Sequence, residues 1–319
     1  MTTPAEAVDL PDEQPAHPDG PAPSSLGVGL VRLCRPRQWV KNLLVFVAPA
    51  AAGVLHHGNV LWHAAGAFGI FCLAASGTYF INDAIDAPSD RLHPTKRLRP
   101  IASGVVPVAP AVVGGTVLLF ASVGLGEALA GWHLALVMGV YAAINLAYSL
   151  GIKNEPVLDL AAVSAGFVLR AIAGGVATGV PLSNWFLIVA SFGSLMVVTG
   201  KRSGEKQLLS AQSRDSRDVR PTLASYSPSF LRSVRTFAAA VTVTAYCLWA
   251  FERAAQIHPG HDPVWFQLTI IPFTIALLHL MRALDDGAGA DPEELALGDR
   301  RLQIYGVCWI ALFAVGVYG

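Results

Sequence analysis

Asn82, Asp86 and Asp90 recur at four-residue intervals in the stretch Asn82-Asp83-Ala84-Ile85-Asp86-Ala87-Pro88-Ser89-Asp90. On a helix that spacing lines three oxygen-bearing side chains along one face. Such oxygens repel one another unless a hard cation lies between them. Mg²⁺ suits the arrangement, because it takes one or two carboxylates and completes its shell with water and substrate phosphate. Lys96, Arg97 and Arg99 follow at once, able to take phosphate oxygens that a metal leaves over. The expected chemistry is metal-assisted work on a phosphate-bearing substrate, with Asn82, Asp86 and Asp90 as ligands. Asp86, Asp90, Lys96 and Arg97 would lie nearest the reaction, and Asp83 and Arg99 beside them. A solvated loop obeying membrane topology is the plainer reading, but such a loop needs no acids at four-residue spacing. Pro88 is expected to bend or end the helix before Asp90.

Four further sets could join this chemistry. Gly200-Lys201-Arg202-Ser203-Gly204-Glu205-Lys206 offers cations where the first cluster offers carboxylates; it reads equally as a basic topology loop. Arg35-Pro36-Arg37-Gln38-Trp39-Val40-Lys41-Asn42 is a basic, Trp-containing run leading into an apolar stretch. It is either an interfacial anchor or a phosphate contact through Arg37, Lys41 and Asn42. Tyr148 and Lys153 could reach a phosphate, although Lys153 could also merely snorkel. Asp159 and Arg170 are eleven residues apart, which on a helix returns to nearly the same face. An arginine inside a membrane must pair or line a polar cavity. Elsewhere the signals are weak. Gly175 and Gly179 form a GxxxG suited to helix packing, the histidines have no ligand spacing, and Cys34, Cys72, Cys247 and Cys308 are too scattered for a zinc site or disulfide framework.

The elements that must position these residues follow from composition. The 319 residues are 53% hydrophobic and only 14% charged, against roughly 25% charge in soluble chains. No Asp, Glu, Lys or Arg occurs from Asn42 to Asn82, and Glu127 stands alone between Ile101 and Ile152. Consecutive Val, Leu, Ala and Gly exclude the alternating pattern of a β-barrel. The chain reads as an all-α polytopic membrane protein with nine transmembrane helices near 40–55, 62–82, 107–126, 131–150, 157–178, 185–200, 232–251, 264–281 and 302–318. With the N-terminus cytoplasmic, twenty of the twenty-two Lys and Arg fall in cytoplasmic segments; eight spans would put a large basic loop outside. Residues 1–28 read as a disordered, proline-rich cytoplasmic tail without the basic n-region of a signal peptide. Residues 29–319 read as one catalytic domain. The lipid bilayer is the expected surroundings, no nucleic-acid partner is expected, and small-residue faces leave room for a homo-oligomer.

Several stretches carry a resemblance: RPRQWVKNLLVF from Arg35, NDAIDAPSDRLHPTKRLRPIASG from Asn82, YSLGIKNEPVLD from Tyr148, GFVLRAIAGGVATGVPLSNWF from Gly166, GKR at Gly200 and DPEELALGDRRLQ from Asp291. They resemble the UbiA superfamily of intramembrane prenyltransferases, and within it the branch that acts on decaprenyl phosphate. That resemblance implies a UbiA-like nine-helix bundle in the inner (plasma) membrane with its active site on the cytoplasmic side. It implies Mg²⁺-dependent transfer of 5-phosphoribose from phosphoribosyl diphosphate to decaprenyl or another polyprenyl phosphate, feeding arabinogalactan precursors. Aromatic prenyltransferases of similar fold carry a second Asp-rich motif where this chain has Lys201 and Arg202. Cations there suit a substrate set with extra negative charge. Two rival readings are a prenyltransferase with an aromatic acceptor, which should carry that second motif, and a polyprenyl-phosphate carrier, which should have polar sites on both faces.

Overall fold

A computed structural model describes residues 25–93, 95–211, 221–255, 262–286, 295 and 298–318. The proline-rich stretch 1–24, the basic Arg214, Arg217 and Arg220, and most of the acidic loop around Asp291 lie outside the described residues. Residues 25–28, assigned above to the tail, begin a helix that Ser25 caps through its hydroxyl on the Val28 amide.

All regular structure among the described residues is helical. Among the described residues, eight elements are long and apolar enough to cross a membrane. They are α3 (Gly58–Leu92), α4 (Val108–Ala130), α5 (Trp132–Leu150), α6 (Leu158–Thr178), α7 (Asn184–Ala211), α9 (Pro228–Ala255), the pair α10 (Val264–Leu268) and α11 (Ile270–Asp285), and α12 (Arg300–Tyr318). Each covers a span expected from the sequence. The span expected at 40–55 is different. It is not one helix but follows α1 (Leu26–Cys34) as a 3₁₀ segment, Pro36–Phe46, and a short α2 (Val47–Ala51). Arg35 takes a left-handed conformation with φ 49° ahead of Pro36, which ends α1 and redirects the chain.

This broken segment still runs the length of the bundle. At one end Arg35 pairs with Asp83 near the C-terminal end of α3. At the other, Arg253 donates to the Ala52 carbonyl and Gly53 packs against Val317 of α12. Eleven 3₁₀ residues and five α-helical ones reach about 30 Å, because the tighter winding rises about 2 Å per residue. Sixteen residues therefore cover what about 20 residues of plain α-helix would.

The fit of this segment against α6 depends on one glycine. A Cβ at Gly174 would lie 1.9 Å from the Val45 carbonyl oxygen, and both sides of that contact are backbone. Gly174→Ala should cost more than the roughly 1–3 kcal/mol typical of overpacking, because no side chain can rotate away. A lower melting temperature or loss of the monodisperse peak in size-exclusion chromatography checks this. The expected GxxxG packing motif is used within the chain instead: Gly175 receives Leu182, and Gly179, with φ 68°, terminates α6.

α3 is 35 residues long, about 52 Å and well beyond a membrane's thickness. Of the two outcomes expected at Pro88, a bend or an end, the end does not occur: the helix continues through it to Leu92. Asp83 and Asp90, on either side of the proline, are both tied to arginines outside the helix, which holds the last turns in place. The ends of α3, α5, α7 and α11 and the starts of α4, α6, α9 and α12 therefore share one polar end of the bundle. Phe71, Leu134, Met138 and Tyr141 fill the core between α3, α5 and α6 deeper in the bundle.

Candidate active site at the polar end of the bundle

The acidic motif divides into two groups. Asn82 and Asp86 face α5 and the turn after it: Asn82 Nδ2 donates to Asp86 Oδ2 (3.1 Å), Ser149 Oγ donates to Asn82 Oδ1 (3.1 Å), and Lys153 Nζ pairs with Asp86 Oδ1. Asp83 and Asp90 are buried on another face. Arg35 Nη2 reaches both oxygens of Asp83, at 2.7 and 2.9 Å, and Arg99 Nη1 bridges Asp83 (3.3 Å) and Asp90 (2.8 Å). The expected convergence of Asn82, Asp86 and Asp90 is thus corrected. Each four-residue step turns a helix by about 40°, so two steps carry Asp90 well away from Asn82, while seven residues bring it back beneath Asp83. Arg99 and Asp83, placed among substrate contacts from sequence, serve this arginine–aspartate cluster, and Arg35 was not foreseen in it.

Among the described residues no three His, Cys, Asp or Glu side chains gather as a metal cage. Asn82 Oδ1 and the Asp86 carboxylate nevertheless fit a hard divalent cation. Mg²⁺ is commonly held by one or two protein oxygens and completed by water and substrate phosphate.

A second correction concerns Asp159 and Arg202. Arg202 Nε and Nη2 grip the two oxygens of the fully buried Asp159, each at 2.8 Å, while Nη1 bonds Glu205 (2.9 Å). Tyr148 donates its hydroxyl to the same carboxylate at 2.9 Å. With its nitrogens engaged in this way, Arg202 ties α7 to α6 and α5. Lys201, the preceding residue, is partly buried. Lys206 is directed at the backbone carbonyls of Leu223 and Tyr226, beside α8 (Pro221–Ser225).

Arg170 does not pair with Asp159 despite their shared helix face. Its Nε donates to Asn42 Oδ1 (2.7 Å), its Nη1 to the Gly166 carbonyl (2.6 Å) and its Nη2 to Tyr141 Oη (3.1 Å). The guanidinium also lies over the rings of Phe71, Tyr141 and Phe167. These hydrogen-bond partners are all uncharged, so none of them offsets its positive charge, and they take three of its five N–H donors. Asn42 is buried in this arrangement and its amide oxygen holds Arg170.

Arg170 lines a cavity of about 130 Å³ in which Lys41, Thr78, Tyr79, Tyr141, Asn145 and Tyr148 stand among apolar neighbours such as Ile144, Val163 and Phe167. Thr78 and Tyr79 lie one helical turn below Asn82, and Tyr148 adjoins Ser149, so the cavity opens directly beneath the Asn82–Asp86 pair. Lys41 and Phe167 also line an apolar groove of about 670 Å³ between the 3₁₀ segment, α6, α7 and α11. Tyr79, Tyr141, Asn145 and Ser149 were not singled out from sequence. The signal was there: Tyr141, Asn145 and Tyr148–Ser149 recur at helical spacing down an otherwise apolar helix. Lys96 is partly buried in the turn after α3, and Arg37 and Arg97 are exposed at the same end.

A membrane helix bundle with an amide–carboxylate pair above a cation-lined cavity defines a class of intramembrane transferase, and the chain belongs to the UbiA prenyltransferase family, whose model matches residues 43–315. A decaprenyl-phosphate phosphoribosyltransferase of Corynebacterium glutamicum is 45% identical, over 93% of this chain and 89% of that protein. One of Mycolicibacterium smegmatis is 46% identical, over 95% and 96%. A solved UbiA homologue from Archaeoglobus fulgidus, bound to DMAPP and Mg²⁺, shares the fold: its TM-score is 0.69 at 20% identity, over 91% of this chain and all of that one.

Proposed function

We propose that this protein transfers 5-phosphoribose from phosphoribosyl diphosphate to decaprenyl phosphate or another polyprenyl phosphate, releasing diphosphate. The observation that carries this reading is Lys41, which lines both the cationic cavity beneath Asn82 and Asp86 and the apolar groove. A lipid phosphate needs such a junction: its headgroup wants cations and its tail wants hydrocarbon. The kinship with phosphoribosyltransferases supports the same substrates.

In this reading Asn82 and Asp86 hold Mg²⁺, which supplies positive charge to the departing diphosphate. Lys96 and Arg97, on the turn beyond, take its outer oxygens, with Arg37 and Lys201 at the same surface. Lys41 and Arg170 orient the acceptor phosphate; Tyr79, Tyr141 and Asn145 offer hydrogen bonds within the cavity. The bond from ribose C1 to the diphosphate breaks, and its electron pair leaves with the diphosphate. An acceptor phosphate oxygen supplies the new pair from the opposite face, inverting the anomeric centre. No base is required, since a phosphate monoester is already anionic at neutral pH. The protein's work is positioning and fixed charge. With Arg202 engaged by Asp159, the cations for extra substrate charge are Arg170 and Lys41.

The strong basic bias puts the polar end in the cytoplasm, with the broken segment as the first of nine crossings of the plasma membrane. The lipid product would supply arabinose units for cell-wall arabinogalactan.

Purified protein with Mg²⁺, labelled phosphoribosyl diphosphate and decaprenyl phosphate should yield labelled lipid. Geranyl diphosphate with 4-hydroxybenzoate should yield nothing; a prenylated aromatic product would overturn the reading. Lys41→Ala removes a charge-assisted contact generally worth about 1.5–3 kcal/mol. It should raise the KM for decaprenyl phosphate roughly 10- to 100-fold while the KM for phosphoribosyl diphosphate holds.

A further inference from the structure

Asp86 bears a cation of the protein's own. Lys153 Nζ stands on Asp86 Oδ1, the carboxylate that, in the reading above, holds the divalent cation. The other oxygen, Oδ2, accepts from Asn82 Nδ2, so Asn82 turns its amide nitrogen toward Asp86 and its oxygen toward Ser149. A cation shared by Asn82 Oδ1 and Asp86 requires both contacts to be exchanged.

The surroundings allow that exchange. Ser149 Oγ lies within bonding distance of Asn82 Oδ1 (3.1 Å) and of the Asn145 carbonyl (3.0 Å). A hydroxyl has a single proton to donate, so Ser149 can release Asn82 and keep a partner. Lys153 sits on the short 3₁₀ turn Ile152–Asn154, whose backbone is fixed by Thr222 Oγ1 on the Lys153 carbonyl (3.2 Å). The ammonium is carried on a flexible four-carbon stem, so it can swing while its backbone stays. Lys153 and Asp86 are each about a quarter exposed, which leaves the ammonium a path toward the solvent side where a soluble donor arrives.

We propose that Lys153 is a tethered placeholder for the divalent cation. It holds the Asp86 carboxylate in place between turnovers, competes with the metal for that carboxylate, and moves to an oxygen of the donor's diphosphate when metal and donor arrive together. A tethered cation that must be displaced weakens binding of the metal alone and not of the metal–diphosphate complex, because the diphosphate gives the ammonium a new anionic partner. Lys153 is a positioning residue here, and it makes metal binding depend on the donor. The inference rests on the Asn82–Asp86 pair being the metal site.

The test uses Mn²⁺ as probe on the full-length protein in nanodiscs, with bound metal read from loss of the free Mn²⁺ electron paramagnetic resonance signal. Without donor, Lys153→Met should bind Mn²⁺ at least about 10-fold more tightly than wild type, in line with removal of a cation worth roughly 1.4 kcal/mol at that carboxylate. Adding phosphoribosyl diphosphate should tighten Mn²⁺ binding strongly in wild type and much less in the variant. Lys153→Arg, which keeps the charge, should stay near wild type in the donor-free measurement and shows that the site remains folded. Unchanged or weaker donor-free Mn²⁺ binding by Lys153→Met overturns the placeholder role. Asp86→Asn, run in parallel, separates the two failures. If it loses Mn²⁺ while Lys153→Met behaves as wild type, only the placeholder fails; if it binds Mn²⁺ like wild type, the metal site itself is misplaced.

Discussion

Asp86→Ala should abolish transfer, lowering labelled-lipid formation by at least about 100- to 1000-fold, the scale seen when one group stabilising developing charge is removed. The variant should remain folded. Asp86 is only partly buried, and its carboxylate is held by Asn82 and Lys153. Losing it leaves Lys153 an ammonium near solvent, and partly exposed ion pairs contribute about 0–1 kcal/mol. The melting temperature should therefore shift little while activity disappears. That dissociation is the informative part. Asp83 and Asp90, three and four residues away in sequence, are held by arginines in a buried cluster, and removing either should cost stability as well as rate. The comparison needs a thermal melt and a transfer assay on the same preparations. An Asp86→Ala protein that turned over at the wild-type rate would end the metal assignment.

Much of the bundle was legible in the sequence because a membrane span needs a long apolar window; seven such windows are continuous helices and an eighth is the pair α10 and α11, broken at Thr269. The window at 40–55 was found but misread. Hydropathy registers how apolar a segment is and not how it winds; the 3₁₀ stretch depends on Arg35 turning left-handed before Pro36 and on Gly174 letting α6 approach the Val45 backbone. The site divides in the same way. Asn82 and Asp86 were legible because four-residue spacing over one step keeps a common face. Asp90 was misplaced because the small angular error of that spacing accumulates over a second step. The partner of Asp86 is 67 residues away in sequence, and the partner of Asp159 is 43 away. No local pattern marks either pairing. Arg170 shows the limit most clearly: its eleven-residue spacing from Asp159 is that of a helix face, yet each of the two prefers a group on another helix.

Asp159→Ala should damage the fold more than any other single substitution at the polar end. Its carboxylate is fully buried and accepts from Arg202 through two nitrogens and from the Tyr148 hydroxyl, joining α5, α6 and α7. It also lies in the first turn of α6, where the helix dipole favours negative charge. Truncation leaves the buried Arg202 with its Glu205 contact and the Tyr148 hydroxyl but without its main counter-charge. Breaking a buried pair from one side generally costs about 3–5 kcal/mol, a large share of the roughly 5–15 kcal/mol that holds a typical domain together. Replacing both partners removes the stranded charge, so Asp159→Leu with Arg202→Met should recover most of the lost stability. Because Tyr148 also lines the cavity, the double variant should fold and yet transfer more slowly, with the larger change in the KM for the lipid acceptor. Denaturation of the three proteins in one detergent, followed by intrinsic tryptophan fluorescence, orders them. If Asp159→Ala melts like wild type and loses only activity, the carboxylate serves the substrate and the structural assignment of this clamp is wrong.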